Sequence, residues 1–187
     1  MKRFSFTLLC FVFAVGALSA RAQVVPAATS ASWSLSAGGE GSAFQPDYAG
    51  ELSAYPSPNR LYGFGTYVDI KFTRWVQVEG EAHWLRLNDS FKFGTTTIVN
   101  SENTYLVGPR IPIHTFGKFI PYGKVLWGLG SGAFLNGNAT VLAFGGGLDY
   151  RINRKFTLRA FDYEYQDWSV ASIQPNGGSV GLSYRIF

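Results

Sequence analysis

The chain has 187 residues, enough for one domain, and carries 16 Lys and Arg against 12 Asp and Glu. Its one Cys and one Met are Cys10 and Met1. Residues 23–187 contain no Cys, which excludes disulfides and thiol chemistry in this part of the chain. They also contain no window of about 18 apolar residues, which excludes a membrane-spanning helix.

The first 22 residues have the pattern of a signal peptide. Lys2 and Arg3 precede an apolar run over 4–18, and Ala20-Arg21-Ala22 is a small-x-small cleavage site. The run is short for a membrane anchor, and no stop-transfer pattern follows it. Cleavage would remove three basic side chains and leave 13 against 12 acidic ones, so the high pI is no evidence for nucleic-acid binding. We expect 23–31 to be a short periplasmic segment.

Eight segments with alternating apolar and polar residues follow, and each predicts a β-strand. Their approximate bounds are 32–44, 60–72, 75–88, 101–113, 119–133, 140–152, 155–167 and 178–187. Tight turns are expected at Thr73-Arg74 and Asn153-Arg154. Pro109 and Pro112 each lack a backbone donor, which predicts a bulge or weakened pairing at one end of the fourth strand.

The connections alternate between long loops and tight turns, at about 15, 2, 12, 5, 7, 2 and 10 residues, which is typical of an outer-membrane barrel. A soluble sandwich has strands of about 5 or 6 residues and no such alternation. The sequence therefore predicts an all-β fold, an eight-stranded antiparallel up-and-down transmembrane β-barrel over 32–187. An even strand number puts both ends on the periplasmic turn side and four long loops outside.

The two faces of the predicted strands differ in polarity. Charge at mid-bilayer costs about 2–4 kcal/mol per Arg or Lys, so the polar face must line the lumen. An eight-stranded barrel leaves room only for side chains, which predicts a lumen plugged by a charged network. The predicted network consists of Glu40, Asp69, Lys71, Glu79, Glu81, His83, Arg110, Lys124, Asp149, Arg151, Asp162 and Glu164.

The apolar face includes one charged residue and many large aromatic residues. Arg159 shares the parity of Phe161, which requires either a bulge near Ala160 or a position low enough for the side chain to snorkel. Large aromatic residues near the strand ends predict two interfacial belts. The turn-side belt would be Trp33, Trp75, Phe119, Tyr150, Phe156 and Tyr184, and the loop-side belt Phe44, Tyr62, Trp84 and Phe134.

The chain resembles a known family in two places. They are the stretch Phe144-Gly145-Gly146-Gly147-Leu148-Asp149-Tyr150-Arg151 with Phe156-Thr157-Leu158-Arg159, and the closing Val180-Gly181-Leu182-Ser183-Tyr184-Arg185-Ile186-Phe187. Both are similar to the OmpA/OmpX-type small outer-membrane barrels. The resemblance implies fold and outer-membrane location, not a specific activity. We do not expect the resemblance to extend to cell-wall anchoring, because none of these 187 residues corresponds to the peptidoglycan-binding domain that some relatives carry.

Candidate chemistry is sparse. Some eight-stranded barrels act on lipid A, and a Ser hydrolase needs a base such as His83 or His114 beside its nucleophile. His114 falls in a predicted periplasmic turn, and no His-x-Ser-Asn stretch is present. Glu79 and Glu81 are expected to pair with lumen cations. The scattered carboxylates and two distant His predict no metal site, and no cofactor is expected.

Three functions stay open at this point. The first is a monomeric barrel with a structural or surface-interaction role through loops 45–59 and 89–100. The second is an outer-leaflet lipid-modifying enzyme, and the third is a small pore. The expected partners are outer-membrane lipid, lipopolysaccharide and the barrel assembly machinery, which would recognise the last strand. Phe187 is one residue out of phase with the apolar face of that strand, where similar barrels have the final aromatic in phase.

Overall fold

The computed structural model describes residues 33–46, 60–73, 75–86, 90–93, 96–99, 101–133, 135, 137–170 and 173–187. The predicted signal peptide and the predicted segment 23–31 lie outside these residues. Within them, no helix is long and apolar enough to cross a membrane.

The described residues form a closed antiparallel barrel of eight strands and a separate two-stranded hairpin. The barrel order is β1-β10-β9-β8-β7-β6-β3-β2, closed by pairing of β1 with β10. The strands are β1 (Ser34–Gln45), β2 (Leu61–Lys71), β3 (Gln77–Leu85), β4 (Ser90–Phe93), β5 (Thr96–Val99), β6 (Glu102–Pro112), β7 (Phe119–Gly132), β8 (Ala139–Arg151), β9 (Phe156–Trp168) and β10 (Asn176–Arg185). The predicted eight-stranded fold is confirmed.

Strand parity places the apolar residues on the outer wall. In β2, Phe64 and Val68 are exposed while Tyr67 and Asp69 are buried, and the other barrel strands alternate in the same sense. Successive side chains of a strand point to opposite faces, so one alternating sequence supplies both the lipid-facing wall and the lumen. The exposed apolar residues thus form the outer wall, as expected for a transmembrane barrel.

The two tight turns are held by side-chain acceptors. Thr73 Oγ1 accepts hydrogen bonds from the backbone N–H of Trp75 at 3.2 Å and of Val76 at 3.0 Å. Asn153 Oδ1 accepts two more, each at 2.8 Å, from the backbone N–H of Lys155 and Phe156. Short polar side chains that bond nearby backbone in this way favour turns over continued strand.

The connections at the loop end are less uniform than expected. Residues 46–60 and 86–101 separate β1 from β2 and β3 from β6, and these are the long loops. The other two, 133–138 and 169–175, have only six and seven residues, because β7 and β8 and then β9 and β10 extend further toward the loop end. Two long loops, not four, therefore dominate this end.

The sequence predicted a polar loop over 89–100, but the structure has a short β-hairpin within this range. β4 pairs with β5 from Ser90↔Val99 to Phe93↔Thr96. Aromatic and β-branched residues favour extended structure, and two residues between the strands are the commonest hairpin length. The hairpin lies beyond the end of the barrel pairing between β3 and β6, where Leu85 faces Glu102.

Prolines weaken one ladder, as predicted, without a bulge. The β6–β7 pairing is interrupted between Val107↔Trp127 and Arg110↔Lys124, but the register is the same on both sides of the gap. Pro109 has no N–H to donate, which accounts for the interruption.

The aromatic belts need one correction. The turn-side aromatics other than Tyr150 are well exposed on the wall, and Tyr62 is exposed at the loop end. Phe44, however, is only 1% exposed and packs with Leu61 and Leu85 inside the barrel. Its even-numbered position in β1 gives it the lumen parity of Glu40 and Ser42, so parity decides its direction over residue type. Phe134 lies outside the described residues.

Candidate functional site: a buried charged network in the lumen

The lumen contains three long cations surrounded by carboxylates. Each of the seven predicted lumen acids lies within 4 Å of at least one of Arg110, Lys124 and Arg159. Almost all of these groups are buried, so the pairing offsets a large loss of hydration.

Arg110 organises the turn-side layer. Its Nη1 donates to Asp69 Oδ2 at 2.9 Å, and its Nη2 donates to Asp149. The guanidinium carbon lies 3.6 Å from the ring centroid of Tyr122, a cation–π distance. Asp69, Arg110 and Asp149 come from β2, β6 and β8, so this layer ties together strands that are not neighbours in the sheet.

Arg159 occupies the centre and settles the alternative left open by the sequence. It is 0% exposed and contacts Glu40 at 3.1 Å and Asp162 at 3.3 Å, with a further hydrogen bond to Glu79. Its guanidinium stacks 3.6 Å from the ring centroid of Tyr67.

A β-bulge at Ala160 turns Arg159 inward. On the β8 side the register passes from Leu148↔Phe161 to Asp149↔Arg159, and on the β10 side it shifts between Ser179 and Gly181. Because of the extra residue, odd-numbered residues face the lumen before the bulge and even-numbered residues face it after the bulge. Arg159 therefore points into the lumen instead of snorkelling on the wall.

Lys124 forms the next layer. Its Nζ lies 2.6 Å from Glu81 Oε2, 2.6 Å from Asp162 Oδ2 and 3.0 Å from Glu164 Oε2. Gln166 Nε2 donates to Glu164 Oε1 at 2.7 Å, and Trp168 Nε1 donates to Gln166 Oε1 at 2.9 Å. A continuous chain of polar contacts thus runs along β9 toward the loop end.

His83 is enclosed by the same carboxylates. Its Nε2 lies 2.7 Å from Glu40 Oε1, and its Nδ1 lies 3.3 Å from Glu81 Oε1 and 3.5 Å from Thr104 Oγ1. The residue is 1% exposed. Both ring nitrogens have partners inside the lumen, so neither faces the lipid wall.

An apolar plug closes the loop end above the charges. Trp168, Val141, Leu126 and Ile173 are buried together, beside the second cluster of Phe44, Leu61 and Leu85. Ile173 comes from the β9–β10 loop, which folds inward, and its carbonyl accepts a hydrogen bond from the Trp168 N–H at 3.1 Å. The plug separates the charged layers from the loop-end solvent.

Lys71 and Arg151, which the sequence grouped with the network, lie apart from it. They line a small cavity of about 60 Å³ at the turn-end mouth, together with Arg185. Within the part of the chain that the structure describes, no ion pair joins either side chain to a carboxylate. Both are partly exposed, so water solvates them at the mouth.

Two clusters of three side chains have the spacing of metal ligands, but Lys and Arg side chains already neutralise them. One is Glu40, Glu81 and His83, and the other is Glu79, Glu81 and Asp162. Lys124 contacts two members of the second group at 2.6 Å, and Arg159 contacts Glu40 of the first at 3.1 Å. The ammonium and guanidinium groups supply the positive charge that a bound metal ion would otherwise provide.

Several interior residues were not singled out from the sequence as site residues. Phe44 could have been found from its lumen parity, and Gln166 and Trp168 continue the inward parity of Glu164 along β9. Ile173 lies in a loop, where no periodicity marks an inward residue.

Comparison with known proteins agrees with this geometry. The chain matches the outer membrane protein beta-barrel domain family over residues 9–185. It has no match among curated proteins. Solved structures with a similar fold include Ail, the attachment invasion locus protein of Yersinia pestis, at 21% identity over 82% of this chain and 97% of that one, with a TM-score of 0.53.

Two further structures have the same TM-score of 0.53. Neisserial surface protein A is 12% identical over 82% of this chain and 96% of its own. The outer membrane protein OprG from Pseudomonas aeruginosa is 12% identical over 82% and 95%. At these identities the likeness concerns the fold, and the family match covers nearly the whole chain. This protein therefore belongs to the outer membrane protein beta-barrel domain family and is a bacterial outer-membrane β-barrel.

Proposed function

We propose that this barrel has a structural or surface-interaction role, exerted through its wall and extracellular loops, and that it neither conducts solutes nor modifies lipid. The observation that carries the proposal is the filled lumen. Arg110, Arg159 and Lys124 bridge opposite strands at three levels, and the apolar plug around Trp168 lies above them. Binding would then fall to the long loops 46–60 and 86–101, as is common for loops on a rigid scaffold.

The surroundings of His83 support the non-catalytic part of the proposal. A general base must reach a nucleophile and a substrate, yet both nitrogens of His83 face Glu40, Glu81 and Thr104 in the interior. Acyl chains of the outer leaflet would contact the wall, on the other side of β3. A structural role, in which the His83 side chain links two carboxylates in the lumen, fits this geometry better.

Three further parts of the proposal concern partners and export. Outer-membrane lipid and lipopolysaccharide would solvate the wall, and the assembly machinery would recognise β10. Cleavage after Ala22 would release the exported chain. With eight strands and no edge to pair, a monomer is the expected state.

Conductance in a planar lipid bilayer tests the closed lumen. The purified barrel should give no discrete single-channel openings, because side chains fill its interior. Reproducible openings of the wild-type barrel would overturn the proposal in favour of a pore.

Lipid A composition tests the absence of lipid chemistry. A deletion strain, the same strain with the wild-type gene, and the strain with His83→Ala should show the same number of acyl chains on lipid A. A change on deletion that the wild-type gene restores and His83→Ala does not would identify an outer-leaflet enzyme.

A further inference from the structure

The turn end of the barrel carries one short sequence arrangement twice. A Lys-Phe pair stands where a strand begins, and a Tyr-Arg pair ends the following strand, each time before an Ile. The first copy is Lys118-Phe119 with Tyr150-Arg151, and the second is Lys155-Phe156 with Tyr184-Arg185. These pairs lie at the turn ends of β7 with β8 and of β9 with β10.

The first copy, which we call corner one, has a defined geometry. Phe119 pairs in register with Tyr150, and their ring centroids are 5.0 Å apart. The Arg151 N–H donates to the Lys118 carbonyl at 2.8 Å. Lys118 Nζ lies 5.8 Å from the centroid of the Tyr150 ring, within cation–π range. The lysine is therefore held against the outer wall.

The second copy, corner two, repeats this geometry closely. Phe156 pairs with Tyr184, with ring centroids 5.2 Å apart, and the Arg185 N–H donates to the Lys155 carbonyl at 2.7 Å. Lys155 Nζ lies 5.6 Å from the centroid of the Tyr184 ring. The two corners flank the β8–β9 turn, which contributes one more cation, Arg154.

The charge at this end of the barrel is one-sided. Among the described residues, the side-chain carboxylates nearest the turn end are Asp69 and Asp149, and both are bound by Arg110 inside the lumen. Lys118, Lys155 and Arg154 have no carboxylate partner within the described ranges. Outward aromatic side chains of a barrel mark the depth of the headgroup region, so the corner lysines lie at the level of lipid phosphates.

We propose that each corner is a binding site for an anionic phospholipid. The Lys ammonium would bind the headgroup phosphate, and the Phe-Tyr pair would pack against the glycerol and the first methylenes of the acyl chains. Arg151 and Arg185 face the mouth and add positive potential behind the sites. An anionic headgroup is favoured over a zwitterionic one because the surrounding positive charge attracts the whole net charge of the lipid.

Spin-labelled lipids test this proposal in reconstituted membranes. The full barrel is placed in phosphatidylcholine bilayers with trace spin-labelled phosphatidylglycerol or spin-labelled phosphatidylcholine, and the motionally restricted fraction gives their relative association. One basic residue near an anionic surface adds about 1 kcal/mol, so the wild type should prefer phosphatidylglycerol by roughly fivefold. The double variant Lys118→Gln with Lys155→Gln should lose most of that preference, and each single variant about half.

Lys71→Gln is the matched control. It removes the same charge from the same end of the barrel, but Lys71 lines the mouth and not the lipid-facing wall. It should leave the preference for phosphatidylglycerol within the error of the wild type. Equal association of the two lipids with the wild type would overturn the proposal, as would an equal loss in Lys71→Gln and in the corner variants. The shift between unboiled and boiled samples on a gel confirms that each variant is folded.

Discussion

Arg159 shows how a single side chain can set the character of a barrel interior. It contacts carboxylates from β1, β3 and β9 and stacks on Tyr67 from β2. Removing one partner of a buried ion pair costs more than the pair itself contributes, because the remaining charges stay buried without compensation. The interior is thus expected to be sensitive to truncation of Arg159.

Replacement of Arg159 by Ala should lower the free energy of unfolding by about 3–5 kcal/mol. The expected reason is that Glu40, Glu79 and Asp162 lose their central cation. Guanidinium titration of the barrel in lipid vesicles, followed by tryptophan fluorescence, measures the change. Arg151→Ala is the control, since that side chain is partly exposed at the mouth and should cost less than about 1 kcal/mol. Equal losses in both variants would contradict a central role for Arg159.

Glycine residues at close contacts between strands also contribute to the stability of the barrel. A Cβ on Gly128 would collide with the backbone carbonyl of Tyr105 on the neighbouring strand, whereas a Cβ on Gly80 would have no atom within 4 Å. Gly128→Ala should therefore destabilise the barrel by about 1–3 kcal/mol, as overpacking does. Gly80→Ala should change stability by less than about 1 kcal/mol. The same titration compares the two, and a neutral Gly128→Ala would show that β6 and β7 can separate at low cost.

Among the strands, β9 has a bulge that the alternation of apolar and polar residues could not locate on its own. Alternation predicted the faces of the other strands, because each inward position follows from its neighbours. It left Arg159 open because a bulge is a property of pairing between strands, not of one strand. The inward fold of Ile173 was missed for a similar reason, since it depends on the tertiary contacts of a loop. The hairpin of β4 and β5, by contrast, is local, and its aromatic and β-branched residues with a two-residue connection could have predicted it.

Deletion of Ala160 tests the bulge directly. Phe161 and Leu158 face outward and Arg159 and Asp162 inward, so removing the extra residue restores regular alternation without reversing any of these side chains. We expect the variant to fold and to keep the gel shift between unboiled and boiled samples. Deletion of Ala143, in a regular stretch of β8, is the control and should abolish the shift, because it turns one half of the strand inside out. Loss of folding on deletion of Ala160 alone would mean that the bulge is required for closure.

At the scale of the molecule, closure of the sheet is what permits residence in lipid. An unpaired strand edge in a bilayer leaves backbone groups without hydrogen bonds, each at a cost of several kcal/mol. Here β1 and β10 close the barrel over ten paired positions from Ser36↔Arg185 to Gln45↔Asn176. Phe187 lies beyond the last strand, where its ring centroid is 5.6 Å from that of Trp33. It extends the seam by packing on Trp33, just before β1, and does not belong to the alternating face.

Two truncations separate these roles of the last segment. A chain that ends at residue 175 lacks β10 and should show no gel shift after refolding into detergent or lipid vesicles, because β1 and β9 cannot both be satisfied. A chain that ends at Arg185 keeps all ten β1–β10 pairs and loses only Ile186 and Phe187 with their hydrogen bonds to the Leu35 carbonyl. It should refold with a gel shift and a modest loss of stability. Refolding starts from the purified, unfolded chain, so the assembly machinery plays no part in the experiment. If the chain that ends at Arg185 fails to refold, the Trp33–Phe187 contact itself contributes to barrel closure.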